Sequence, residues 1–258
     1  MKKLLGSFFV VALLITAAVA QKPDSSKSPE TKAPTPPSAA KLPAAKEILD
    51  KYVNAIGGRE ALLKIRSRYQ TGTIELSPMG VKGTVESYSR ADNRSLTKIS
   101  LVGIGDVLDG YDGSTAWTSN PMQGSRVKAG KELQQTIRMN DFGRDANLEK
   151  SYTTLTVKGV EKVGERDSYV VVGSNDGFPD DVLYFDTETG LILRTDNIVI
   201  APEGQQATTS FYEDYRDVNG IKSAFKIRAK TPAFEITTIV TEIKYDVAIE
   251  DSKFKQPN

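Results

Sequence analysis

Apolar residues between positions 44 and 65 recur every three or four residues, which is the spacing of amphipathic helices. The spacing predicts a helix over residues 44–56 that ends at the pair Gly57-Gly58. A second, shorter helix with one apolar face follows. Both helices need an apolar surface to pack against. The apolar positions are Ala45, Ile48, Leu49, Tyr52, Val53 and Ile56 in the first helix and Ala61, Leu62 and Ile65 in the second.

From Ser67 onward, apolar residues tend to recur at every second position, which is typical of β-strands. Turn-forming pairs such as Asn219-Gly220 separate the runs, so consecutive strands are expected to pair as antiparallel hairpins. The predicted strands are residues 68–76, 81–90, 94–102, 104–109, 114–119, 151–163, 167–173, 181–186, 191–200, 206–215, 221–230 and 233–247.

Several of these strands carry apolar residues on both faces, which bears on the shape of the sheet. In strand 233–247, Ile236 and Val240 lie on one face, whereas Ile239 and Ile243 lie on the other. A small closed barrel would keep one face inward along each strand. The pattern therefore favours an open, strongly twisted sheet. The predicted fold is mainly β, in the α+β class: a large antiparallel curved sheet forms an open half-barrel that is covered by a few helices.

Residues 130–142 predict a third helix, which ends at Gly143 and carries a thin apolar stripe of Leu133, Ile137 and Phe142. A thin stripe is typical of a weakly held cover over a cavity, and equally of an ordinary surface helix. Apolar residues beside glycines at strand ends can be interpreted as lips of a cavity or as turn residues that complete the core, and the turn is favoured because glycine is common in turns. The candidate ligand-binding residues of such a cavity are Leu76, Met79, Val81, Leu101, Val102, Ile104, Leu108, Trp117, Leu133 and Ile137.

The first 43 residues carry two segments outside the predicted fold. Residues 1–20 combine Lys2 and Lys3, an apolar stretch and an Ala-Val-Ala cleavage site, which is the pattern of a secretory signal peptide. An uncleaved membrane anchor is the alternative, but the apolar stretch is short for a span. Residues 21–43 contain half of the 12 prolines and predict a disordered Pro-rich linker, either a tether or a tail with no specific role. The half-barrel domain is assigned to residues 44–258, in the periplasm or secreted.

The composition restricts the chemistry of the chain. The sequence has no His and no Cys, which excludes a Ser-His-Asp triad, a thiolate nucleophile and metal sites built on imidazole or thiolate. The formal net charge of +1 gives no electrostatic footprint for nucleic acid. Three clusters of acidic residues remain as candidates for chemistry. Each cluster either forms a turn or belongs to an acid–base or calcium site, and the turn is favoured. These groups are Asp106/Asp109/Asp112, Asp180/Asp181 and Asp186/Glu188. We therefore expect no catalytic residue, no cofactor and no metal ion.

Four segments spread over the predicted domain carry a family signature of turns and hairpins. They are residues 52–62, 110–117, 183–191 and 212–220. In these segments the chain resembles the LolA-like family of periplasmic lipoprotein carriers, and more closely the outer-membrane lipoprotein-sorting proteins. The resemblance implies an unclosed antiparallel barrel whose helices cover a hydrophobic cavity, and a protein that holds acyl chains in transit. It also implies an arginine that hydrogen-bonds to a helical lid, for which Arg66 and Arg68 are candidates.

The sequence supports three hypotheses for function. The first is a periplasmic carrier that binds lipid or lipoprotein acyl chains without catalysis, since burying each CH₂ contributes about 0.8 kcal/mol and no reactive group is needed. The second is a cell-envelope interaction or sensor module that uses the same fold to bind a protein partner. The third is a hydrolase, which requires two carboxylates in one cleft.

Overall fold

The computed structural model describes residues 42–257, so the predicted signal peptide and nearly all of the predicted linker lie outside the described residues. The helices are α1 (Ala45–Ala55), α2 (Arg59–Lys64) and α3 (Gly130–Met139), with two short 3₁₀ segments, Asp145–Ser151 and Asp251–Phe254. The strands are β1 (Ser67–Ser77), β2 (Val81–Arg90), β3 (Arg94–Leu101), β4 (Gly105–Tyr111), β5 (Ala116–Asn120), β6 (Gly124–Val127), β7 (Thr154–Val163), β8 (Arg166–Ser174), β9 (Asp181–Asp186), β10 (Ile192–Ala201), β11 (Gly204–Val218), β12 (Ile221–Lys230) and β13 (Glu235–Tyr245).

The thirteen strands of the described region form one antiparallel sheet in the order β6-β5-β4-β3-β2-β1-β13-β12-β11-β10-β9-β8-β7. The chain builds two meanders, β1 to β6 and β7 to β13, which join where β1 pairs with β13. Within this region β6 and β7 lie at opposite edges and do not pair with each other. The sheet is therefore an open half-barrel, and the predicted fold class is confirmed.

Each predicted strand is present, with ends that differ from the observed ones by up to three residues. Strand β6 at one edge is not among the predicted strands, because its four residues are too few for alternation to be recognised. The change of apolar face along β13 has a more local cause than twist. The register between β13 and β1 shifts at a β-bulge, so that Ile243 pairs with Gln70 but Val240 pairs with Gly72. Ile243 and Val240 consequently lie in one apolar cluster instead of on opposite faces.

Helices α1 and α2 pack against one face of the second meander, which we call the inner face. The apolar stripe of α1 is buried there as predicted, in the same cluster as Val171, Leu183 and Ile192 of the sheet. Tyr52 of α1 meets Phe185 of β9 edge-on, with ring centroids 5.5 Å apart. A second apolar cluster is formed by β1 to β4 with β12, β13 and the turn before it, and it contains no helical residue.

Helix α3 bridges the two meanders, because it follows β6 and contacts both β5 and β10. The amide of Gln135 pairs with the backbone of β10: Nε2 donates to the Ile198 carbonyl at 2.8 Å, and the Ile200 N–H donates to Oε1 at 2.8 Å. The predicted apolar stripe is not what holds the helix, since Ile137 is exposed and Gln135 is buried. The helix is also shorter than predicted, and Phe142 beyond its end packs in the main cluster. Polar contacts therefore anchor α3, which an apolar pattern cannot reveal.

Candidate functional site

A cavity of about 130 Å³ lies between the helices and the inner face of the sheet. Its wall is formed by α1, α2, the 3₁₀ segment 145–151 and strands β1 and β9 to β13. An engineered cavity of about 150 Å³ in another protein takes up benzene. The cavity therefore has room for one ring or a few methylene groups, and not for a whole acyl chain.

Part of the cavity wall is aliphatic. Ile56 and Leu62 contribute to it from the helical side, and Leu183, Ile192 and Ile227 contribute from the sheet. Four of these five side chains also belong to the main apolar cluster, so the cavity is a gap within that core. An apolar guest that fills the gap gains the free energy of burial, about 25 cal/mol for each Å² removed from water.

Four tyrosines line the cavity, and each hydroxyl is already bonded to protein. Tyr52 donates to Asp145 Oδ1 at 3.1 Å, and Tyr215 donates to the Ile192 carbonyl at 2.7 Å. Burial raises the pKa of Tyr52 and of Tyr215 well above the ordinary value, so both phenols stay neutral. The other two hydroxyl pairs are Tyr212 with Thr195 at 3.3 Å and Tyr245 with Ser223 at 3.0 Å.

The charged residues of the cavity wall differ in the partners that they contact. Burial raises the pKa of Asp145, although the charges of Arg144 and Arg68 act in the opposite direction. Arg144 Nη2 donates to the Tyr152 hydroxyl at 2.8 Å and lies 3.9 Å from a carboxylate oxygen of Asp181. Arg144 is therefore engaged by Tyr152 and Asp181, which do not line the cavity, and also by the charge of Asp145, which does.

Two polar side chains of β1 are left available to a guest. Gln70 is 4% exposed, and its Nε2 has no hydrogen-bond partner among the described residues. Arg68 lies two positions earlier on the same face of the strand, also lines the cavity, and makes no hydrogen bond or ion pair within residues 42–257. Of the two arginines proposed for the lid, Arg66 is exposed. Neither side chain donates to a helix in the described part of the chain.

The ten residues predicted to bind a ligand lie outside this cavity. Their places in the fold differ, and apolarity alone does not separate a cavity wall from a core. Those in the second apolar cluster are Leu76, Val81, Leu101 and Ile104. Those packed beside the C-terminal 3₁₀ segment are Leu108 and Trp117. The exposed ones are Met79, Val102 and Ile137, and Leu133 is half-buried. Their role in binding stays a prediction.

Trp117 has a structural position that the sequence left open. Its indole N–H donates to the Phe254 carbonyl at 3.0 Å, and the side chain is 1% exposed. The ring lies flat on Gly110 of β4, where a Cβ atom would come within 2.3 Å of it. Trp117 thus attaches the C-terminal segment to the sheet.

The carboxylate groups do not converge in one cleft. Asp112 and Asp186 each accept hydrogen bonds from backbone N–H groups two and three residues later, so they form turns as favoured by the sequence. Four of the other five contact cations: Asp106 with Lys98 at 2.8 Å, Asp109 with Lys128 at 2.6 Å, Asp181 with Arg138 at 2.9 Å and Glu188 with Arg166 at 3.4 Å. Within residues 42–257 no three Asp or Glu side chains are grouped as a metal site requires.

Comparison with solved structures identifies the fold. A LolA superfamily protein from Nitrosomonas europaea has a TM-score of 0.55 and 14% identity, over 83% of this chain and 99% of that chain. A DUF1329 family protein from Desulfovibrio piger has a TM-score of 0.54 and 17% identity, over 81% and 96%. An outer-membrane lipoprotein-sorting protein domain from Vibrio parahaemolyticus has a TM-score of 0.51 and 13% identity, over 80% and 97%. The chain therefore has a LolA-like fold.

No protein-family profile and no curated protein matches the sequence, so the likeness is one of structure. Within residues 42–257, no helix combines the length and hydropathy that a bilayer span needs.

Proposed function

We propose that the protein is a cell-envelope carrier that binds the acyl chain of a lipid or lipoprotein, without catalysis. The single observation that supports this is the cavity enclosed between helices and sheet, with aliphatic side chains in its wall. The LolA-like fold agrees with it, since one structure of this fold is a lipoprotein-sorting protein domain. A binding role also suits a chain without His or Cys.

The size of the cavity sets a condition on this function. At about 130 Å³ the cavity holds only the end of an acyl chain. A longer chain requires α1 and α2 to move away from the sheet and to expose apolar surface that Ile48, Leu49 and Val53 now cover. A ~12-carbon chain supplies roughly 10 kcal/mol before association costs, which can offset the apolar burial that the two helices give up when they move.

We place this function outside the cytoplasm. Residues 1–20 act as a cleaved signal peptide, residues 21–43 act as a linker, and residues 44–258 form the carrier domain. The protein then resides in the periplasm or is secreted. These assignments rest on the sequence pattern, and N-terminal sequencing of the mature protein, with Gln21 expected as its first residue, tests them.

Mass spectrometry of organic extracts from protein purified without detergent tests the carrier function. Acyl lipid is expected in the extract of the wild type. Ala224→Phe places a ring at the cavity wall and should reduce the bound lipid several-fold. Ala207→Phe makes the same change at an exposed position of β11 and should leave the lipid content unchanged. Thermal melts of both variants check the fold, because overpacking costs about 1–3 kcal/mol.

A different outcome would favour a different function. Absence of lipid from the wild type, together with stoichiometric capture of one envelope protein, would contradict the carrier and favour the interaction module. Equal lipid content in Ala224→Phe and Ala207→Phe would place the lipid elsewhere on the protein.

A further inference from the structure

We propose that the cavity recognises the polar end of its guest: Arg68 and Gln70 of β1 bind the carboxylate of a single-chain fatty acid, whose first methylene groups lie against the aliphatic wall. The inference rests on the proposed function and deepens it by naming the ligand class. In this arrangement Gln70 Nε2 donates a hydrogen bond to a carboxylate oxygen, and Arg68 supplies the opposite charge.

The buried amide of Gln70 is the first observation that points to a ligand. It is 4% exposed, and within residues 42–257 its Nε2 lacks an acceptor. A buried donor without an acceptor is destabilising, and native proteins contain few of them. Because Gln70 lines the cavity, an acceptor that occupies the cavity can reach it.

The charge of the wall favours an anionic acceptor. Three cationic side chains, Arg68, Arg144 and Lys222, line the cavity against one carboxylate, Asp145. Arg144 is engaged by Tyr152 and by a carboxylate beyond the wall, and Lys222 is exposed. Arg68 is the half-buried cation that makes no hydrogen bond or ion pair in the described part of the chain. Its attraction for an anion is strengthened where water is excluded.

The hydroxyl groups of the wall do not compete for this role. The four tyrosine hydroxyls, together with Thr195 and Ser223, are bonded within the protein. A neutral ester or amide, as found on an acylated protein, can accept from Gln70 but leaves the three cations of the wall facing Asp145 alone. A free carboxylate satisfies both groups. The limited volume of the cavity suits a head group and a few methylenes of one chain.

Isothermal titration calorimetry of the delipidated full domain tests the inference with dodecanoate, dodecanol and an N-dodecanoyl peptide. The measurements are made near pH 8, about four units above the pKa of a carboxyl group. Wild-type protein should bind dodecanoate about tenfold or more tightly than the other two, the size expected for a hydrogen bond to a charged group. Arg68→Gln and Gln70→Leu should each reduce this preference to threefold or less, while dodecanol affinity stays unchanged. Matched controls are Arg66→Gln and Gln205→Leu, both at exposed positions.

A second readout uses the unmodified sequence and does not depend on a variant that folds. The side-chain amide signal of Gln70 in a ¹⁵N–¹H spectrum should shift further on addition of dodecanoate than of dodecanol, whose hydroxyl oxygen is an uncharged acceptor. Equal affinity of the three ligands would overturn the inference and leave the carrier function intact. Failure of all three to bind would overturn both. Unchanged dodecanoate binding by Gln70→Leu, with no shift of the amide signal, would overturn the role of Gln70.

Discussion

The buried ion pair between Lys128 and Asp109 offers a quantitative test of how α3 is held across the open side of the sheet. Lys128 Nζ lies 2.6 Å from Asp109 Oδ2, and the two side chains are 3% and 9% exposed. The same ammonium group lies 3.3 Å from the Thr136 hydroxyl of α3. The pair therefore couples strand β4 to the helix through the residue that connects β6 with α3.

Asp109→Leu removes the carboxylate and leaves the ammonium group of Lys128 in a buried site. Breaking a buried pair in this way is expected to lower the free energy of unfolding by about 3–5 kcal/mol. The double variant Asp109→Leu/Lys128→Met removes both charges and fills the site with apolar atoms. It should recover most of the loss, because replacing a whole buried pair is often neutral or stabilising by about 1–4 kcal/mol.

Urea unfolding followed by circular dichroism measures these differences. Asp106→Leu is the matched control, since Asp106 lies on the same strand and pairs with Lys98 at the surface. An exposed pair contributes about 0–1 kcal/mol, so this variant should unfold almost like the wild type. The reasoning is refuted if Asp109→Leu is no less stable than Asp106→Leu, or if the double variant is as unstable as Asp109→Leu alone.

Three further changes test other contacts. Phe254→Ala removes a fully buried ring, so the free energy of unfolding should fall by about 3–5 kcal/mol. The fluorescence emission of Trp117 should also shift to the red, and an unshifted spectrum would contradict the packing of the C-terminal 3₁₀ segment against Trp117. Hydrogen bonds from Arg94 of β3 and Arg90 of β2 lower the pKa of Asp251, which lies in the C-terminal 3₁₀ segment. Asp251 therefore stabilises the packing of this segment on the sheet above its unfolded pKa of about 3.9, and this stabilisation is lost as the pH falls through the lower folded pKa. Trp117 emission should then change in acid before circular dichroism does, and a simultaneous change would contradict this order. Gln135→Leu removes both bonds to β10 and should accelerate amide hydrogen exchange there, whereas the exposed change Gln134→Leu should not; equal exchange in the two variants would show that the amide pairing does not hold α3.

Alternation of apolar residues was sufficient to predict the class of the fold. In a sheet with one covered face every second residue contacts the core, as Phe225, Ile227 and Ala229 of β12 do. The bounds of β2, β9 and β12 are those that the sequence predicts. The alternation of apolar residues does not predict a strand or helix that is held by something other than apolar packing. Strand β6 is a short edge, and α3 is held by Gln135 and its polar neighbours, so neither leaves a clear apolar signal.

The cavity could not be located from the sequence, because its wall is assembled from segments as distant as Tyr52 and Tyr245. The residues predicted to bind a ligand are apolar, and several of them pack in the second apolar cluster, which no helix covers. One signal was present in β1. Arg68 and Gln70 lie on the same face of β1 as Leu76, which is part of an apolar core. Polar residues on such an inward face are candidates for contact with a ligand.

The position of β13 in the sheet affects folding during synthesis and the outcome of a C-terminal truncation. It is synthesised after the other twelve strands of the sheet, yet it lies at the centre, with six strands on either side. Its pairing with β1 brings Thr238 beside Ile74, and such distant pairs form slowly. A nascent chain that stops before Glu235 can build two separate half-sheets, with β1 and β12 as bare margins to which other chains can add. Truncation at the C-terminal end therefore splits the sheet through its middle instead of trimming its border.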